Sequence, residues 1–415
     1  MKSWEVKKIG DVCTLKSGTT VNKSLEKTSG DVPYLKVADM SLPENDLVIT
    51  TSSRFLNEDA LKKNSLFPIG TTIFPKRGGA ILTNKKRLTA IPVCADLNIM
   101  GVIPSKALLP KFLYFYFLNI DMRELGSGSS IPQINNYDIA PLTIAFPTCA
   151  EQKRIVAILD EAFERIDGAI ANTEKNLANA RELFESYLNS IFTRKGDNWV
   201  DVRLGEIATF RNGLNFTKNS KGESIKIVGV KDFQNNFWID EEQLETVTID
   251  EDLKEIDILR EGDILTVRSN GNKELIGRCI LAGELSEKTS HSGFTIRIRI
   301  ERPDVYLPFA VHYLKSRTLR RRLIESGDGI SISSLNQQKL SLIELSFPPL
   351  EKQQSLVTAI DELSGASQRL EAIYQQKLAA LNELKQSILQ KAFSGELTTD
   401  TAAQAANAAQ EVTAA

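Results

Sequence analysis

From Glu151 to Phe192 the chain has no proline and a single glycine, Gly168, and its apolar residues return every three or four positions: Ile155, Leu159, Ala162, Ile166, Ala169, Ile170, Leu177, Ala180, Phe184, Leu188 and Ile191. That spacing predicts a long amphipathic helix. A second stripe runs through Leu356, Ile360, Leu363, Leu370, Tyr374, Leu381, Leu384 and Ile388. About forty residues at 1.5 Å each make roughly 60 Å of helix, which cannot bury its stripe alone. Two such helices at heptad-like spacing predict an antiparallel pair forming a coiled coil, with seam breaks at Asn176, Ser367 and Lys377. The alternative is that each helix packs on its own domain as an ordinary bundle helix.

Ahead of each helical zone lie about 150 residues of short alternating runs, such as Thr71–Phe74, Ile264–Val267 and Phe294–Ile300. Glycine, proline and asparagine punctuate them, which predicts short strands and turns. One apolar helix is predicted near 110–125 and another near 308–325, each ending at a glycine, Gly126 or Gly327.

The two halves are copies, offset by about 195–200 positions. Trp4, Ile9-Gly10-Asp11-Val12 and Gly18 align without a gap on Trp199, Leu204-Gly205-Glu206-Ile207 and Gly213. Gly70–Arg77 resembles Gly262–Arg268 with one gap, and Pro110–Phe115 answers Pro308–Tyr313. Gly126, Gly128, Ile131, Ile134, Asn135, Phe146-Pro147 and Gln152 align on Gly327, Gly329, Ile332, Leu335, Asn336, Phe347-Pro348 and Gln353. Two copies at this spacing predict tandem domains, not a solenoid. The expected fold is mixed α/β (α+β): a domain over 1–149, a helical spacer over 150–196, a second domain over 197–349, a second spacer over 350–397, and a disordered tail over 398–415.

Charge changes the picture only locally. The 415-residue chain has a net charge of −2, but Lys76–Arg87 carries five basic residues and no acid, as does Lys315–Arg322. An acidic stretch, Asp240–Asp263, offsets them. No apolar run reaches the roughly 18 residues of a membrane span, and Met1-Lys2-Ser3-Trp4-Glu5 lacks the core of a signal peptide, so a cytoplasmic protein is expected. The four cysteines form no CxxC pair and His291 and His312 are far apart, so no metal site is expected.

Catalytic patterns are missing. Gly126-Ser127-Gly128-Ser129 follows a helix and lacks a third spaced glycine, so it fails as a dinucleotide loop. Phe347-Pro348-Pro349-Leu350 lacks the preceding Asn or Asp of an adenine methyltransferase motif, and Asp252-Leu253-Lys254 lacks an upstream acidic partner for a nuclease. A binding module is the reading these absences favour.

Three features together resemble the DNA-specificity subunit of type I restriction–modification enzymes. They are the repeated opening Trp-x4-[Ile/Leu]-Gly-[Asp/Glu]-[Val/Ile], the Phe-Pro segment before a long helix (Phe146-Pro147 then Glu151-Gln152; Phe347-Pro348 then Glu351-Lys352-Gln353), and the closing run Ser387–Leu397. The resemblance covers residues 1–397. It implies two target recognition domains, each reading half of a split, asymmetric site in double-stranded DNA, with two antiparallel helices between them as a ruler. It also implies two methyltransferase subunits and up to two restriction subunits as partners. S-adenosylmethionine, ATP and Mg²⁺ would belong to those partners, with no cofactor or catalytic residue in this chain.

The residues chosen to read DNA are Lys76, Arg77 and Gly78, then Asn84, Lys85, Lys86 and Arg87. Their counterparts are Arg268, Ser269, Asn270 and Lys273. Glycine permits close approach, lysine neutralises phosphate, and arginine and asparagine can read base edges. Gln133, Asn135, Ser334 and Asn336, in loops rich in neutral donors and acceptors, join them, as do Arg320 and Arg321. Solvated basic hairpins and self-satisfied turns are the alternatives. Gln152 and Gln353 are assigned to subunit docking, with helix N-terminal capping as the alternative. A coiled-coil scaffold that never touches DNA, the recognition part of a fused restriction–methylation enzyme, and an autonomous methyltransferase are the competing functions.

Overall fold

The structure is a computed structural model that describes residues 4–60, 66–125, 132–196, 198–234, 236–250, 252–325 and 334–397, with backbone only at 60 and 322–325. Gly126, Gly128, Gly327, Gly329, the tail 398–415 and the side chain of Arg322 lie outside the described residues. The chain divides into two compact units, Met1–Glu174 with Gln376–Ala415, and Lys175–Gln375.

The first unit is built on a five-stranded sheet in the order Cys13–Ser17, Ile99–Pro104, Thr72–Pro75, Arg87–Thr89, Val48–Ile49. A three-stranded sheet (Phe55–Leu56, Val32–Leu35, Cys94–Ala95) and a two-stranded one (Glu5–Lys8 with Thr143–Phe146) complete it. The second unit repeats the plan. Its main sheet runs Ala208–Asn212, Thr295–Ile300, Ile264–Val267, Cys279–Leu281, and its small sheets are Glu245–Thr248, Ser224–Val228, Thr289–His291 and Val200–Arg203 with Glu344–Phe347. The copies agree in register as well as order: Glu5 pairs with Phe146 as Val200 pairs with Phe347. Gly18 and Gly213 explain their place in the repeat. A Cβ there would lie 2.1 Å from the Asp96 carbonyl oxygen and 2.2 Å from that of Ser292, so only glycine lets the two chain segments meet.

The predicted long helices are Cys149–Thr193 and Leu350–Ser394, 45 residues each and so about 68 Å long. Each contributes its opening to one unit and its close to the other. In the first unit they run antiparallel, with Arg154 Nη2 donating to the Leu397 carbonyl (2.9 Å) and Lys385 Nζ to Asp167 (2.6 Å). Ile155, Leu159, Ile166, Leu381 and Ile388 are buried there in one core. In the second unit Arg181 bonds Glu371 at 2.8 Å, and Leu188, Val357 and Ile360 share a core. The stripe seen in the sequence therefore packs both along the helix pair and onto the rest of each unit, with Leu370 left exposed.

Aromatic packing explains two motifs of the repeat. Trp4 meets the edge of Phe112, which also packs at a tilt against Phe393 from the end of the second long helix (centroids 6.5 and 5.0 Å). In the other unit Trp199 meets Phe309, which packs on Phe192 from the end of the first long helix (6.1 and 5.4 Å). The opening tryptophan and the closing phenylalanine thus grip the same apolar helix from two sides.

Those apolar helices are shorter than expected. The first, Pro110–Leu118, stops because Asn119 N–H turns back to Phe115 and Tyr116, and Lys86 Nζ takes the Ile120 carbonyl (2.6 Å). The second is two helices, Leu307–Lys315 and Arg317–Glu325, broken at Ser316, whose extended ψ of 141° ends the first. Among the described residues no helix is long and apolar enough to cross a membrane.

Candidate nucleic-acid interface

In each unit the central strand of the main sheet runs into a loop whose backbone is tied to two others. After Thr72–Pro75, Lys76 N–H donates to the Asn98 carbonyl (2.8 Å), Ile134 N–H to the Lys76 carbonyl (2.9 Å), and Gly78 N–H to the Pro132 carbonyl (2.8 Å). Arg77 forms an antiparallel bridge with Gln133. Gly78 has φ +69° with no atom near where a Cβ would stand, so this turn is left-handed and open. The second unit reproduces the knot. Arg268 N–H donates to the Phe294 carbonyl (2.8 Å), Leu335 N–H to the Arg268 carbonyl (2.7 Å), and Ser269 bridges Ser334.

Two groups of residues chosen from distant parts of the sequence are thereby brought together. Lys76 and Arg77 lie beside Gln133 and Asn135, and Arg268 and Ser269 beside Ser334 and Asn336. Gln133 Nε2 donates to Asn135 Oδ1 (2.7 Å), and Asn135 Nδ2 to the hydroxyl of the exposed Tyr137 (2.8 Å). Lys76 Nζ donates to Ser17 Oγ at 2.9 Å, and burial, then the charge of Arg77, lowers its pKa. Both effects destabilise the ammonium where it stands, so an approaching phosphate would find it already part-dehydrated. Ser17 and Tyr137 were not singled out from the sequence. Ser17 stood beside Gly18 of the repeated opening, which was the only signal for it. In the second loop Asn270 Oδ1 accepts from Asn272 N–H (2.8 Å), shaping the turn ahead of Lys273.

Lys85, Lys86, Arg87 and Arg320 are engaged elsewhere. Lys86, expected on the DNA face, is 2% exposed, and its Nζ donates to the Ile120 carbonyl and to Asn84 Oδ1 (2.6 and 2.7 Å). Burial brings its pKa down to about 8. Asn84 is left-handed (φ 52°), and its Oδ1 also accepts Met122 N–H at 2.9 Å. Arg87 donates to the Asn45 carbonyl (2.6 Å) and Lys85 to Ser41 Oγ (2.5 Å). The segment 84–87 is thus a clamp between a loop and the end of an apolar helix, and the expectation that Asn84 and Lys86 read DNA is corrected on that ground. Arg320 Nη2 donates to the Glu274 carbonyl (2.6 Å), bracing the second loop from behind, while Arg321 is exposed.

Gln152 and Gln353 also need correction. They are 0% and 1% exposed. Gln152 Oε1 accepts Leu109 N–H (2.8 Å), and its Nε2 donates to the Ala107 and Pro147 carbonyls (both 2.9 Å). Gln353 does the same with Tyr306 N–H and the Asp304 and Pro348 carbonyls (all 2.8 Å). A side chain sealed by three bonds inside its own unit offers a partner subunit nothing. Each glutamine instead pins the first turn of a long helix to the N-cap of an apolar helix, Leu109 or Tyr306.

Residues 1–178 and 196–381 match the family model of the type I restriction modification DNA specificity domain. The chain is 24% identical over 421 residues to the type I restriction enzyme StySPI specificity subunit of Salmonella potsdam, covering 96% of this chain and 90% of that one. It is 25% identical over 423 residues, with the same coverages, to the EcoKI specificity subunit of Escherichia coli K12. Among solved structures, one described as the structural basis of assembly and conformational transition of the type I R-M system superposes with a TM-score of 0.75 at 18% identity (95% and 98% covered). The HsdS subunit from Thermoanaerobacter tengcongensis superposes at 0.57 and 19% identity (96% and 98% covered). A duplicated chain, a paired helix seam and a family match in both halves lead to one conclusion: this protein belongs to the type I restriction–modification DNA specificity family.

Proposed function

We propose that the protein recognises a bipartite, asymmetric site in double-stranded DNA, each unit reading one half through its strand-end loops. The observation that carries this is the repeated backbone knot joining Arg77 to Gln133 and Ser269 to Ser334. It puts cationic and neutral hydrogen-bonding side chains on one rigid support. Cations supply the salt-dependent attraction to phosphate, and Arg, Asn, Gln and Ser can pair with base edges. The two loops differ, Lys-Arg-Gly-Gly against Arg-Ser-Asn-Gly, so the half-sites should differ too. The long helices then set the spacing between half-sites.

Two methyltransferase subunits and the restriction subunits are the proposed partners, in the cytoplasm. S-adenosylmethionine, ATP and Mg²⁺ would be held by them, and DNA adenine methylation and ATP-dependent cleavage would be theirs. This chain would hold the duplex while the target adenine leaves the stack. The test is to co-express the chain with the methyltransferase encoded beside it and map methylated adenines across the host genome. A split asymmetric motif with a fixed gap, lost when Lys76 and Arg77 are changed to glutamine, is expected. A stable complex that methylates no such motif would overturn the reading.

A further inference from the structure

Phe294 is 61% exposed, although it opens a run whose next residue, Thr295, is fully buried. An isolated surface phenylalanine needs no explanation by itself, but the place and the support of this one do. Its carbonyl accepts both Arg268 N–H (2.8 Å) and Ser269 N–H (3.3 Å), so the ring stands on the knot that carries the second unit's candidate reading loop. The turn beneath it is held from several directions. Ser292 N–H donates to the Val228 carbonyl (3.0 Å), Gly293 N–H to the Leu214 carbonyl (2.7 Å), and Thr295 N–H and Oγ1 to the Ser292 carbonyl (2.9 and 2.8 Å). His291 Nδ1 lies 2.8 Å from Thr295 Oγ1.

The first unit has the same turn with a different residue at its tip. Asn98 accepts Lys76 N–H there and folds its amide onto Asp96 Oδ1 (2.6 Å). One copy therefore tucks a polar side chain down, while the other raises an aromatic ring from an equally fixed backbone. A ring held out in water beside a guanidinium-bearing loop is suited to a partner that is both anionic and rich in apolar faces. Nucleic-acid bases offer such faces through the thymine methyl group or an exposed stack.

We propose that Phe294 makes a direct apolar contact with a base in the half-site read by the second unit, a contact for which the first unit has no equivalent. The proposal rests on the DNA-reading role of these loops. It makes Phe294 a specificity-determining residue and one source of the site's asymmetry.

The test uses the full chain in complex with its methyltransferase subunits, on duplexes carrying the mapped site intact or with either half scrambled. Phe294→Ala and Phe294→Asn should weaken binding to the intact site about ten-fold or more. The slope of affinity against salt should stay the same, because a neutral ring releases no counterions. The loss should disappear when the half-site sensed by Arg268→Gln is scrambled. Phe294→Leu would keep a contact to a thymine methyl and Phe294→Trp a stacking contact, so rescue by one or the other identifies the form of the contact. Wild-type affinity for Phe294→Ala, or an equal loss on both scrambled duplexes, would overturn the proposal. If Arg268→Gln also binds as wild type, the reading of the loop itself fails; if Arg268→Gln is weak and Phe294→Ala is not, only the aromatic contact fails. Because the ring is exposed, an unchanged melting temperature in these variants is expected.

Discussion

Replacing Gln152 by alanine should loosen the first unit and leave the second intact. The side chain makes three hydrogen bonds at 2.8–2.9 Å from a fully buried position. Each bond is worth about 1 kcal/mol net, and a buried group left without its partner costs about 1–3 kcal/mol. Ala107 is an exposed residue, so its carbonyl can rehydrate; Leu109 N–H and the Pro147 carbonyl are less accessible. A loss of about 3 kcal/mol follows. A two-unit chain need not unfold in one step, so peptide-resolved hydrogen exchange is the suitable assay. About 3 kcal/mol corresponds to roughly hundred-fold faster exchange in the helix Pro110–Leu118 and the first turns of Cys149–Thr193. Peptides from 200–350 should be unaffected. Gln152→Glu keeps the acceptor for Leu109 but sets a carboxylate against two carbonyls. Its folded pKa would be raised, so its penalty should shrink as pH is lowered from 8 towards 5. Gln353→Ala should mirror the result in the second unit. Less than three-fold acceleration near Leu109, or equal acceleration in both units, would refute the assignment of these glutamines as pins.

Three further outcomes are expected. Lys76→Gln and Arg77→Gln should each weaken DNA binding and each reduce the salt slope by about 1, read by titration at several salt concentrations. Lys86→Met should do the opposite, leaving affinity per folded molecule unchanged while lowering stability by about 2 kcal/mol, because the Ile120 carbonyl loses its donor. The chain's only two histidines lie in the second unit, where burial depresses His291 to about 3 and His312 to about 4. The unfolded chain then takes up the protons first, so stability is full above pH ~6.5 and falls as pH drops towards 4. At pH 5.5 the second unit should lose about 3 kcal/mol in total with no histidine contribution in the first, and exchange protection that fell equally in both units would contradict this.

Period and repetition made much of the fold legible. The stripe from Ile155 to Ile191 and its copy became the two 45-residue helices, and matches such as Phe146-Pro147 with Phe347-Pro348 fell at equivalent strand ends. The loops at Lys76 and Arg268 were legible as loops because each follows a short apolar run, Thr72–Pro75 or Ile264–Val267, and leads to a glycine, Gly78 or Gly271. What the sequence hid was the direction of side chains within a basic run. Lys85, Lys86 and Arg87 are indistinguishable as letters, yet one is sealed beneath a helix end while the other two reach neighbouring loops. Gln152 and Gln353 were visible as a matched pair, but two of the three partners of each lie more than forty positions away, so the sequence did not separate an internal pin from a surface contact. Phe294 read as the first residue of an alternating strand. Only the backbone bonds from Arg268 and Ser269 reveal it as the tip of a turn.

The division of the chain has a consequence for its synthesis. The second unit is one continuous stretch, Lys175–Gln375, whereas the first is completed only by residues made after it. Leu381, Ile388, Leu389 and Ala392 belong to the first unit's buried core. At 5–20 residues per second, the intervening stretch of about 200 residues takes roughly 10–40 s to translate. For that time the nascent first unit carries an uncovered apolar face, including the Phe112 surface that Phe393 later closes. The domain translated first is therefore the one finished last. A premature stop beyond residue 375 should damage the beginning of the protein and spare its middle, and the unfinished first half is where chaperones should be found on the growing chain.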